Sequence, residues 1–262
     1  MVEMTAFFWL LVLPLAASPL VYLSGHLSRT AARRSPPRVV ALVVLLAAWL
    51  PFGLVARQLA AGQLTLTWGT ISLTMDGLGL LLTAVTLTLG TLVTVFSGPY
   101  LAGEQGEEKY YAMLLAMMGT MIGLGCATDL FNLWLWFEAM AISSYLLVAF
   151  YREQPLSLEA GVKYLVQSAT GSVLVLLGIG LVLAQTGTLE LVRIRETAVS
   201  NPTILLAAGA LFLIGFGVKA ALVPLHTWLP DAHSQAPSGI SAMLSGVVIE
   251  AGLVALLRAL SG

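Results

Sequence analysis

The chain has 262 residues, of which 58% are apolar and only 10% charged, and its mean hydropathy is +0.93. Soluble domains carry roughly 25% charged residues, so this composition describes an integral membrane protein and leaves no room for a soluble domain. A formal net charge of −1 supplies no basic surface for nucleic acid, and no DNA- or RNA-reading motif is present.

Eight apolar runs, at roughly residues 5–24, 38–57, 77–98, 109–127, 130–150, 161–185, 202–228 and 237–259, each hold close to the ~20 residues a bilayer core requires. The first has no Lys or Arg ahead of it and outlasts the apolar core of a signal peptide, so it reads as a retained helix. Between the second and third runs, Leu64, Leu66 and Trp68 alternate with polar residues before Gly69, and a second alternating stretch runs from Ile71 to Leu73. That pattern predicts a short β-hairpin on one membrane face, at about residues 64–76. Asp129, with Asn132 nearby, reads as the cap of the fifth span. The segment from Gly187 to Pro202, with Arg193, Arg195 and Glu196, reads as an amphipathic, surface-lying link.

Alternation of eight spans puts Arg29, Arg33, Arg34, Arg38, Lys109, Arg152 and Lys163 on one side, and Arg57, Arg193, Arg195 and Arg258 on the other. The positive-inside rule then places both termini and the hairpin outside the cytoplasm of a multi-pass cell-membrane protein.

Three ionisable residues stand inside apolar runs: Glu138 in the fifth, Lys219 in the seventh and Glu250 in the eighth. A charge at the bilayer centre costs about 2.5 to 3.5 kcal/mol even on the lenient insertion scale, so such groups imply pairing, or water and a role. Pro224 and Pro230 interrupt and follow the seventh run. A proline inside a helix removes one donor and clashes with the carbonyl four residues back, here Ala220, so the helix is expected to break beside Lys219. Broken backbone at membrane depth persists only where it is buried in protein or faces water. Glu138 is the natural partner of Lys219, because an unpaired acid and an unpaired base in one bundle would each carry a penalty.

His226, seven residues after Lys219, suits proton transfer near neutral pH. Glu250 would extend the line of protonatable groups, and Lys163 opens the sixth span beside Tyr164, where it either joins the same path or snorkels to the interface. Asp231 and His233 are expected at a surface or channel mouth. The three histidines match no metal-binding spacing, and the lone Cys126, in an apolar segment, reads as packing. No Walker-type loop, nucleophile elbow or CxxC pair is found, so neither cofactor nor metal is expected and the chain is not catalytic alone.

The stretches NLWLWFEAMAISSYLLVAF, EAGVKYLVQSATGSVLVLLGIGLVLAQTGTL and GFGVKAALVPLHTWLPDAHSQAPSGISAMLSGVVIEAGLVALLR, in that order, resemble the proton-translocating antiporter-like subunits of respiratory complex I, Mrp-type cation/proton antiporters and energy-converting membrane-bound hydrogenases. The resemblance covers roughly residues 70–259. It implies that Glu138, Lys219 and His226 are the acid, base and histidine of an ion pair and hydrated relay, with Lys163 at the head of the sixth helix. Glu250 stands where many members carry lysine and so reverses the usual charge. The resemblance further implies an all-α integral membrane bundle of about eight transmembrane helices. Residues 1–108 would form peripheral helices and the hairpin, and 109–262 the first five-helix repeat, with the second repeat absent and supplied by a companion membrane subunit. Two functions follow: a proton (or cation/proton) translocating subunit of an oxidoreductase or antiporter complex, or a non-pumping scaffold of the same fold.

Overall fold

In the computed structural model, which describes residues 2–27, 36–60, 62, 64–69, 71–102, 104–197 and 202–261, the apolar runs become helices. In chain order these are α1 (Val2–Leu27), α2 (Pro36–Leu59), the strands β1 (Leu64–Trp68) and β2 (Ile71–Met75), α3 (Gly77–Leu101), α4 (Glu107–Cys126), α5 (Leu130–Val148) and α6 (Pro155–Thr186). There follow the short α7 (Leu191–Glu196), α8 (Pro202–Lys219) and the half-helix α9 (Trp228–Gln235). The last span is built from α10 (Ser238–Met243), a π turn (Leu244–Val248) and α11 (Ile249–Ser261). Of the basic residues used for orientation, Arg29, Arg33 and Arg34 lie outside the described residues.

Among the described residues, seven segments are long and apolar enough to cross a membrane. The expected fourth span is not one of them. It is α4, which opens on Glu107, Glu108 and Lys109 and is buried over most of its length between α1, α3 and α5. A helix enclosed by other helices needs no lipid-facing surface, which is why its composition is less apolar. Its 20 residues still measure about 30 Å, the thickness of the hydrocarbon core.

Local chemistry sets the element ends. Asp76 accepts from the Gly79 amide at 2.8 Å to start α3, and Asp129 accepts from the Asn132 amide at 2.8 Å to start α5, as its position suggested. Gly187 ends α6 in the left-handed region at φ 69°, where a side chain would be strained. The hairpin is antiparallel, with Leu64 opposite Met75 and Trp68 opposite Ile71.

Hairpin, α7 and several helix ends are tied together at one face. Leu73 bridges to Ala127, Asp129 bridges to Glu190, and the Leu191 amide donates to the Thr128 carbonyl at 3.0 Å. Arg258, near the end of α11, donates to Asp76 at 2.8 Å and also to the Gly125 carbonyl. The short link through α7 is thus part of a woven end-cap.

Within the bundle, helices approach through glycines. A Cβ on Gly171 of α6 would come within 2.7 Å of the Gly215 carbonyl oxygen of α8, and one on Gly215 within 2.6 Å of that of Gly171. In lipid, where apolar surface alone gives helices little reason to associate, such close contact supplies the packing. Gly171→Val is expected to destabilise the protein by about 1 to 3 kcal/mol in a thermal or detergent unfolding assay. Gly180→Ala is expected to be neutral or mildly stabilising, since nothing lies within 4 Å of its added methyl.

Candidate functional site

Helix α8 stops at Lys219, as the prolines downstream require. The chain leaves the helix through Ala221, held at φ 51°, a value uncommon outside glycine. The Leu222 amide reaches back to the Gly217 carbonyl at 2.9 Å. Trp228, the first residue of α9, is fully buried and donates its indole N–H at 2.7 Å to the Val218 carbonyl, which also accepts from the Ala221 amide at 3.2 Å. Pro230 falls in the first turn of α9, where its missing N–H removes no helical bond.

The break leaves Lys219 inside the protein with 1% of its surface exposed. Its Nζ donates to Ser144 Oγ of α5 at 2.8 Å and to the Tyr164 hydroxyl of α6 at 2.5 Å. The two hydroxyls lie 3.0 Å apart, and the Ser144 O–H donates a hydrogen bond to the Ala141 carbonyl at 2.8 Å, which keeps the Ser144 lone pairs available to the ammonium. Tyr164 is held in place by the Trp228 ring, stacked at 3.9 Å and 3°. The helix break thus also fixes the phenol that receives the lysine.

Glu138 and Lys219 do not touch: no carboxylate oxygen lies within 4.0 Å of the ammonium, which the hydroxyls occupy instead. Glu138 is half-buried on α5, acts on Lys219 through space, and keeps Oε2 buried without a hydrogen-bond partner. The acid and the base therefore share one interior, separated rather than bonded.

The remaining sequence-selected residues fall in three places. His226 lies in the loop between α8 and α9, so its seven-residue spacing from Lys219 is not a helical one; its Nδ1 is buried without a partner. Lys163 sits two turns into α6, which starts at Pro155, and bonds Glu159 and Asp231 at 2.8 Å each on the exposed side. One turn further on, Gln167 donates to Thr227 at 2.6 Å, so the pair of contacts straps the broken segment to α6. His233 shares a 2.6 Å hydrogen bond with Ser241, joining α9 to α10, and Asp231 is taken up by Lys163. Burial without compensating charge holds the His233 imidazole below its usual proton affinity.

Glu250 is exposed, and its orientation departs from a relay running through the bundle. Gly252 is the residue of α11 that meets the end of α8, where an added Cβ would come within 2.8 Å of the Ala220 amide nitrogen. Two helical residues are about 200° apart, so Glu250 faces away from Lys219. The π turn at Leu244–Val248, which immediately precedes this stretch, had no sequence signal. Ser144 was likewise not legible as a lysine acceptor, being one of several hydroxyls in an apolar run; Tyr164 was marked only by its place next to Lys163. Among the described residues no group of three or more His, Cys, Asp or Glu side chains gathers as metal ligands.

The family described as "NADH:quinone oxidoreductase/Mrp antiporter, TM" matches residues 127–261. The chain belongs to that family. Among curated relatives, NADH-quinone oxidoreductase subunit N of Desulforudis audaxviator is 33% identical over 198 residues, covering 74% of this chain and 39% of the relative. Subunit N 2 of Roseiflexus castenholzii is 36% identical over 228 residues, covering 84% and 44%. A chain of the archaeal membrane-bound sulfane sulfur reductase, a respiratory membrane complex, superposes with a TM-score of 0.88 at 28% identity over 97% of this chain and 52% of that one. One from respiratory complex I of Thermus thermophilus shares the fold, with a TM-score of 0.74 at 23% identity over 94% and 52%. The chain therefore spans less than half the length of these curated relatives and about half that of the solved chains. The antiporter-like fold and the multi-pass membrane character follow from this agreement, and the broken seventh span from the end of α8 at Lys219.

Trp228→Phe keeps a ring against Tyr164 but removes the bond to Val218, and is expected to lower stability by about 1 kcal/mol. Trp228→Ala also empties the stacking site and is expected to cost about 3 to 5 kcal/mol. Both are read from thermal unfolding of the purified protein in detergent.

Proposed function

We propose that this chain is an antiporter-like subunit of a multisubunit membrane complex and moves protons, or a cation in exchange for protons, with Lys219 as the central carrier. The observation that carries this reading is a fully buried lysine at a helix break, held by two neutral hydroxyls, with a half-free carboxylate in the same interior. A lysine with two alternative partners is bistable. On the Ser144 and Tyr164 hydroxyls it keeps its proton with little gain from charge; next to Glu138 the charged form is favoured by the carboxylate. A charge change on either side tips the lysine between them, and a proton moves with it.

His226, with its unpartnered Nδ1, is the next acceptor in this scheme, and the outward-facing Glu250 hands the proton to a neighbouring membrane segment or subunit rather than back into the bundle. Lys163 and Asp231 act from outside, holding the broken segment against α6, and His233 fixes the far end of α9. Residues 109–262 are the translocating repeat and residues 1–108 its peripheral support. The hairpin face lies outside the cytoplasm, on the strength of the basic residues at the opposite face. The curated relatives, named as NADH-quinone oxidoreductase subunits, support a place among other membrane subunits.

A scaffold that moves no ions is favoured by one observation: no hydrogen bond joins Lys219 to His226 or Glu250. The two readings separate in sealed vesicles containing the assembled complex. Lys219→Ala is expected to abolish proton uptake while assembly persists; undiminished uptake in that variant would defeat the transport reading. Tyr164→Phe combined with Ser144→Ala is expected to slow uptake about tenfold or more, because hydrogen bonds to a charged group contribute about 1.5 to 3 kcal/mol. On the scaffold reading both changes would dissolve the complex.

A further inference from the structure

A second site lies at the membrane face opposite the hairpin. There the start of α4, the end of α5, the α5–α6 turn and the second half of α1 enclose a cavity of 730 Å³. That volume lies within the range of roughly 300 to 1,000 Å³ typical of small-molecule sites. Its inner wall is buried and largely apolar, with Leu147, Ala112 and the ring of Tyr110, and it extends from Gly106 to Met113 along α4, a depth of about 10 Å. The polar atoms inside are already engaged: Ser18 donates to the Ala112 carbonyl at 2.8 Å, and the Tyr110 hydroxyl is 2.8 Å from Ser97 Oγ.

The outer end is different. Glu104, Lys109, Arg152 and Glu153 line it, and none of the four side chains makes an ion pair or hydrogen bond among the described residues. Two free cations and two free anions around an apolar shaft match a ligand that carries both charges at one end and hydrocarbon at the other. Tyr22, Phe150 and Tyr151 add the aromatic residues that favour the headgroup level of a bilayer.

We propose that this cavity binds a zwitterionic phospholipid with a primary-amine headgroup. Its phosphate is held by Lys109 and Arg152, its ammonium by Glu104 and Glu153, and one acyl chain occupies the shaft beside Leu147 and Met113. The apolar shaft selects against a free phosphate, and the two carboxylates select against a purely anionic lipid. The site is independent of the Lys219 region and does not rest on the transport reading.

The test uses the full chain in nanodiscs, with Tyr151→Trp as a reporter whose fluorescence is quenched by brominated lipid, alongside native mass spectrometry of retained lipid. Brominated phosphatidylethanolamine is expected to quench the reporter and to be retained in preference to phosphatidylglycerol. Lys109→Gln with Arg152→Gln is expected to reduce retention about tenfold or more, and Glu104→Gln with Glu153→Gln to move the preference towards phosphatidylglycerol. Equal retention of phosphatidylglycerol by the unmodified chain would overturn the zwitterion assignment. Binding of soluble phosphoethanolamine as tight as that of the lipid would make the site one for a small phosphate ester. An unquenched reporter, or a copurifying subunit that cross-links to this face and excludes lipid, would remove the proposal even if the charge variants failed to fold.

Discussion

A single ammonium group inside a lipid-embedded bundle organises this structure. Lys219 has almost no exposed surface, and its three donors must find acceptors within the protein or the charge could not be accommodated. Two of those acceptors are hydroxyls presented by α5 and α6, one of them held flat by Trp228. Trp228 in turn receives its place from the end of α8, through its bond to the Val218 carbonyl. The helix break, the stacked rings and the lysine therefore support one another: Trp228 packs on the phenol that receives the lysine and is itself anchored to the end of the broken helix.

This arrangement explains why the break tolerates its setting. Free carbonyls and amides at membrane depth are costly, and the chain meets that cost locally, with the Gly217 and Val218 carbonyls both taken up and the straps from Lys163 and Gln167 closing the outside. The same economy appears at the hairpin face, where Asp76 caps α3 and also pairs with Arg258 of α11, and Asp129 caps α5 and also accepts from the Asn132 side chain in its first turn. The interior lysine and the woven face are two solutions to one problem, that of exposing as little unpaired polarity as possible to hydrocarbon.

The contrast between Glu138 and Glu250 bears on how such a chain works with others. Both are acids in apolar runs, yet one looks into the bundle and the other out of it. An acid on an outward surface at membrane depth is expensive in lipid and inexpensive against a polar neighbour. Gly252 decides the matter: it lets α11 press against the end of α8, and that contact turns Glu250 away.

Much of this was legible in the chain itself. Length and hydropathy determined a multi-pass helical membrane protein, because the bilayer sets the length of a span. Proline chemistry determined that the seventh span stops near Lys219, the alternation of Leu64, Leu66 and Trp68 determined the hairpin, and the order of the charged motifs pointed to the family. Only the tertiary structure decided which groups meet. Whether Lys219 contacts Glu138 or a pair of hydroxyls depends on how α5 and α6 are rotated, and that rotation is set by packing such as Gly171 against Gly215. Whether Glu250 points in or out depends on the approach of α11 to α8 at Gly252, contacts between residues far apart in sequence. Helical periodicity fixes the relative angle of residues on one helix, but not the direction in which that helix turns its faces; neighbouring helices do that.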